Sequence, residues 1–116
     1  MSATDAQRIM VALEHLEVLH RHLGAGRFDD EMVTDAVGMR LSAAIAAIHD
    51  GDPALGIRLF KDEWQDIWGM RNRIAHGYTT TDPEVIIDSV TNDLPDFERA
   101  LRAELTRLTG DSSATS

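Results

Sequence analysis

The sequence predicts an all-α protein, an antiparallel bundle of four to five helices. Apolar residues recur at steps of three and four along most of the chain, and no segment alternates apolar and polar residues as a half-buried strand does. Glycine and proline punctuate the chain so that helix-length stretches lie between short connections. With 116 residues, 43% hydrophobic and 27% charged, the chain has the composition of one globular domain around a single core. The domain is expected over residues 1–109, with 110–116 as a disordered polar tail.

The first helix is expected from about Thr4 to Leu23, where Ile9, Leu13, Leu16, His20 and Leu23 form one stripe. Ser2 or Thr4 suits its N-cap, and Gly24 and Gly26 supply the stop. None of His15, His20 and His22 is four residues from another, so they read as structural or exposed side chains rather than metal ligands. A second helix, from Asp29 or Asp30 to His49, carries Val33, Val37, Leu41, Ala44 or Ile45, and Ile48. Its small-residue run Ser42-Ala43-Ala44-Ile45-Ala46-Ala47 lets a neighbouring helix come close. Asp50-Gly51-Asp52-Pro53 breaks the chain, and Ala54–Lys61 reads as either a helical turn or a longer connection.

A third main helix starts near Asp62, carries Trp64, Ile67, Trp68, Arg71 and Ala75, and stops at Gly77. Trp64 and Trp68 are four apart and stack on one face, as a core anchor or dimer contact rather than a base-stacking platform. After the loop Thr79-Thr80-Thr81, a helix opens with Asp82 as N-cap, Pro83 at the first position and Glu84 in the first turn. It carries Val85, Ile86 and Val90. Leu94-Pro95 either kinks it or starts a fifth helix capped by Asp93, whose stripe is Leu94, Phe97, Leu101, Leu105 and Leu108.

The chain has no cysteine, which excludes a disulfide framework or a cysteine zinc site. The polar opening Met1–Arg8 lacks a signal-peptide core, and no apolar run approaches the ~18 residues of a membrane span, so a soluble cytoplasmic protein is the expectation. A net charge of −9 argues against a broad basic nucleic-acid surface. The charge is uneven. Residues 56–78 alone are net positive, with Arg58, Lys61, Arg71 and Arg73 against Asp62, Glu63 and Asp66. Such a segment in an acidic body fits a local phosphate site or a surface for a partner protein.

Within that segment, Arg71 to Tyr78 places a guanidinium, a carboxamide, a second guanidinium, an imidazole and a phenol in eight residues. Asn72 and His76 are four apart and share a helix face. Arg71 lies five residues from His76, about 140° around the axis, and is long enough to reach the same pocket. At the end of the helix the dipole favours an imidazolium at His76. This set suits metal-independent RNA cleavage, in which histidine moves a proton and arginine holds the phosphate through two parallel hydrogen bonds. One histidine cannot comfortably serve as both base and acid, so a symmetric dimer would supply a second copy. The competing reading is structural: Arg71 paired with an acid, Asn72 as a cap or crosslink, His76 as a helix-end cation.

The segment W-Q-D-I-W-G-M-R-N-R-I-A-H-G-Y, with the following T-T-T-D-P-E-V-I-I-D-S-V-T-N-D-L-P-D-F, closely resembles the HepT-like branch of the HEPN superfamily. That branch carries an R-N-x-x-x-H-x-Y motif, met here by Arg71, Asn72, His76 and Tyr78, then an aspartate, here Asp82, and a D-L-P, here Asp93-Leu94-Pro95. The likeness covers about Glu63 to Leu108, and Asp35–Leu41 extends it weakly upstream. It implies an all-helical homodimer, the ribonuclease toxin of a toxin–antitoxin pair that cuts RNA rather than DNA without a metal or other cofactor. Arg71 and His76 are then the catalytic pair, supported by Asn72 and Arg73. Tyr78 matches the tyrosine to which a cognate nucleotidyltransferase antitoxin adds AMP, silencing the toxin. The family's second helix commonly carries a glutamate where this chain has Ser42–Ala47. That departure leaves a second reading open, a catalytically silent subunit that binds nucleotide or a nucleotidyltransferase. Arg40, at the family's upstream arginine position, points toward the site or forms a surface salt bridge.

Overall fold

A computed structural model describes residues 4–25, 30–76 and 83–110. These residues form an all-α bundle of helices α1 (Asp5–Ala25), α2 (Glu31–His49), α3 (Ala54–Phe60), α4 (Glu63–His76), α5 (Pro83–Asp88) and α6 (Leu94–Thr109). Several expected features lie outside the described residues: Ser2, Gly26, Asp29, Gly77, Tyr78, the threonine loop, Asp82 and the tail 111–116. So do the side chains of His76 and Val85.

α1 begins with a reciprocal cap. The Thr4 hydroxyl accepts from the Gln7 backbone N–H at 3.1 Å, and the Gln7 side chain accepts from the Thr4 N–H at 2.8 Å. Its buried stripe is Ile9, Ala12, Leu13, Leu16 and Leu19. His20, expected on that stripe, instead lies at the surface, and its Nε2 meets Glu98 Oε1 of α6 at 2.7 Å. Burial alone would raise the Glu98 pKa, but His20 and Arg102 together hold it below the ordinary range. α2 is capped by Asp30, whose carboxylate accepts from the Met32 N–H. The Arg8–Asp50 and His15–Arg40 contacts pair the start of α1 with the end of α2 and the two middles with each other, so the helices run antiparallel. Asp5 of α1 approaches α3 near Glu104, while His20 meets Glu98, so α6 also runs antiparallel to α1.

α2 is the central rod, touched by α1, α3, α4 and α5. Its Val37, Leu41, Ala44, Ile45 and Ile48 lie in the core with Trp64, Ile74, Ile86, Val90, Leu94, Phe97 and Leu101. Ala54–Phe60 is a helix, and Lys61 at φ 54° turns the chain from α3 into α4. That turn presses Gly56 against the Trp64 indole: a Cβ there would lie 2.3 Å from Trp64 Cδ2. Trp64 is 4% exposed and serves as a core anchor.

The expected kink near Pro95 is a π-helical turn, Ser89–Asp93, in which the Leu94 N–H reaches back to the Ser89 carbonyl. Pro95 has no N–H and its ring crowds the preceding turn, so a widened turn just before it relieves a register that an unbroken α-helix cannot keep. Asp93 makes no side-chain capping bond, contrary to the expectation, because the chain is already helical where it enters α6. The α6 stripe also shifts. Leu108 is exposed, and Glu104 is buried in its stead.

Glu104 is held by Arg58 of α3 and Arg107 of α6, and Arg58 also reaches Asp5 of α1. Its hydrogen bond from Arg107, opposed by desolvation and reinforced by Arg58, lowers its pKa from 4.5 to about 2. Because the folded value is depressed, this cluster stabilises the fold above the unfolded value and loses the contribution as pH falls through the folded one. Glu104→Gln should therefore cost about 2 kcal/mol at neutral pH, a figure reduced for the exposure of both arginines. The gap to the parent should close as pH falls from 4.5 to about 2, read by urea unfolding at each pH. A gap that stays constant across this window would show that the charge of Glu104 contributes nothing.

Candidate active site

α4 carries the residues in question, and an aromatic column fixes where it sits. Phe97 of α6 stacks on Phe60 of α3 with centroids 5.1 Å apart, and Phe60 faces Trp64 at 6.1 Å. Trp64 stacks on Trp68 at 6.1 Å, and Trp68 on the His49 ring of α2 at 4.1 Å with planes 15° apart. The Trp pair thus joins core to site: Trp64 is sealed in, while Trp68 is half-buried. His49 is the contributor that sequence reasoning missed, having been read only as the end of a helix. Its Nδ1 accepts from the Gly51 N–H at 3.1 Å, which fixes the ring against Trp68.

The Arg71 guanidinium lies over the Trp68 ring, with Cζ 5.0 Å from the centroid, three residues along the same helix. One Nη donates to Asn72 Oδ1 at 3.1 Å. Arg71 Nε is buried with no hydrogen-bond partner, and among the described residues Arg71 forms no ion pair. The pairing with an acid that a structural reading requires is absent among those residues. A guanidinium stacked on an indole and steered by one amide is suited to hold a phosphate through its Nη groups.

Arg73 is exposed, two positions along, and lines a groove with Asp88 and Asp93, away from Trp68. His76 closes α4 as its last residue, one turn beyond Asn72, so the backbone brings the two to one face. Its side chain and Tyr78 are outside the described residues.

Two expectations need correction. Residues 56–78 do not gather their cations into one basic pocket. Arg58 is taken up by Glu104 and Asp5, and Lys61 precedes α4 by two residues, roughly 15 Å along the axis from Arg71. Among the described residues Arg40 forms no salt bridge with an acid. Its Nη1 donates to His15 Nδ1 at 3.0 Å, across the α1–α2 contact. Burial first, and Arg40 second, lower the His15 pKa against a raising effect of Glu14.

A family model described as Ribonuclease HepT-like matches residues 9–104. No curated protein and no solved structure matches the chain. No helix among the described residues is long and apolar enough to cross a membrane. The family match takes in α2 to α5 and most of α1 and α6, with the half-buried Arg71 on its indole and the final helical turn that ends at His76, and the chain belongs to the HepT-like ribonuclease family of the HEPN superfamily.

Proposed function

We propose that this chain is a metal-independent endoribonuclease, the toxin of a toxin–antitoxin pair, with Arg71 and His76 as its catalytic residues. The observation that carries the reading is the state of Arg71: stacked on Trp68, bonded to Asn72, and without an acid partner among the described residues. Its guanidinium holds the scissile phosphate and offsets the charge that grows on it. His76 takes the proton from the ribose 2′-hydroxyl as that oxygen attacks phosphorus. His76 of a second copy then gives a proton to the departing 5′-oxygen, so the working unit is a homodimer. Asn72 orients Arg71, and Arg73 contributes positive potential beside the site. The domain is residues 1–109, and 110–116 lie outside it.

Control runs through Tyr78. A cognate nucleotidyltransferase adds AMP to its hydroxyl, and the new phosphate occupies the guanidinium that RNA would otherwise bind. The reading rests on the match of Tyr78, two residues past the end of α4 in the sequence, to the tyrosine of the R-N-x-x-x-H-x-Y motif.

Expression of the chain alone should arrest growth, and His76→Ala should abolish the arrest. Co-expression with the nucleotidyltransferase should restore growth to the parent but not to Tyr78→Phe, which has no hydroxyl to modify. Normal growth on expressing the unmodified parent would support the silent-subunit reading instead.

A further inference from the structure

α4 and α6 stand apart over α2 and leave an open groove of about 860 Å³. Its floor is apolar: Leu41 and Ile45 from α2, Ile67 and Met70 from α4, Leu94 and Phe97 from α6. Its rim is acidic. Glu63 and Asp66 line one wall and Asp88, Asp93 and Asp96 the other, with Arg73 as the single cation of the lining among the described residues. Among the described residues Asp96 pairs with the exposed Arg99.

Gly69 belongs to the same wall, in the interior of α4. Glycine there destabilises a helix relative to alanine, and a fold normally accepts this where a neighbour presses on the backbone, as Trp64 does on Gly56. At Gly69 an added Cβ would meet no atom within 4 Å. Nothing among the described residues uses the missing side chain. A backbone arriving from outside would.

We propose that this groove is a docking site for a basic amphipathic helix of a protein partner, packed against the bare backbone at Gly69. The wall from Glu63 to Arg73 is roughly 15 Å long, or about three helical turns. A helix with apolar residues at i, i+3, i+4 and i+7 fills the floor, and lysine or arginine on its flanks meets the carboxylates. The groove is lined by neither Arg71 nor Asn72, and Arg73 on its rim is the one supporting residue of the cleavage site that it shares among the described residues.

The test uses the full chain and a labelled leucine–lysine amphipathic peptide of about 14 residues, long enough to cross the groove. A control peptide carries glutamate for every lysine. By fluorescence anisotropy the basic peptide should bind at least ~10-fold more tightly than the control, and Gly69→Leu should weaken it by a similar factor. Asp66→Lys and Asp93→Lys should each weaken it as well. Gly69→Ala should raise Tm by roughly 2–5 °C, since helix propensity improves and no contact is lost. Three results would overturn the proposal: no binding of the basic peptide, equal binding of both peptides, or binding unaffected by Gly69→Leu. A fall in Tm for Gly69→Ala would do the same, because the glycine would then be required inside the chain. If the peptide does not bind and Gly69→Leu turns a dimer into a monomer by sedimentation, the occupant is a second copy and the proposal fails.

Discussion

Arg71→Lys is expected to lower RNA cleavage by about 10²-fold, and Arg71→Ala by about 10³-fold, with the fold intact. A lysine keeps the charge but loses the planar fork, which alone can hold two phosphate oxygens at once. It also loses the flat surface that lies over Trp68, and with it the orientation that Asn72 reinforces. Stability should change little, by about 0.5–1 kcal/mol, since among the described residues Arg71 contributes one cation–π contact and one part-buried hydrogen bond to the adjacent Asn72. Cleavage rates and thermal melts of the same preparations check both halves. If Arg71→Lys cut RNA at the parent rate, the bidentate role would be lost. If Arg71→Ala melted far below the parent, the residue would belong to the fold rather than the site.

The largest effect on stability should come from the contact that positions α4. Trp64→Ala removes a buried indole from between Phe60 and Trp68 and should cost about 3–5 kcal/mol, a fall in Tm on the order of 10–20 °C. Gly56→Ala should cost about 1–3 kcal/mol, because the new methyl would sit 2.3 Å from a rigid ring that itself packs against Phe60 and Trp68. The pair is coupled. In the Trp64→Ala background, Gly56→Ala should cost nothing, since the clash is gone and alanine is the better helix former. Additive losses in the double variant would show that Gly56 is constrained by something other than Trp64.

Helix periodicity was legible because it depends on spacing alone. The opening of α2 at Asp29 or Asp30, the break at Asp50–Pro53 and the start of α5 at Pro83 all follow from residues within a few positions of each other. The Trp64–Trp68 face was legible for the same reason. What escaped depends on partners far along the chain. Glu104 reads as a surface acid until Arg58, 46 residues away, is brought to it. Gly56 reads as a weak point of a short helix until the turn at Lys61 folds Trp64 back over it. His49 belongs near the site only because α2 passes beneath Trp68. The π turn arises from Pro95, whose presence was plain, but sequence offered a kink and a new helix equally. Arg71 itself was read from chemistry. Its freedom from an acid partner among the described residues could not be, because chain composition is rich in acids.

The most direct test of the account is to incubate a defined RNA with the unmodified protein in EDTA and determine the ends of the products by mass spectrometry. Attack by the ribose 2′-hydroxyl predicts 2′,3′-cyclic phosphate and 5′-hydroxyl ends from the parent, no products from His76→Ala, and no cut where the nucleotide at the cleavage site is 2′-deoxy. RNA left intact by the parent, or the same products from His76→Ala, would contradict it.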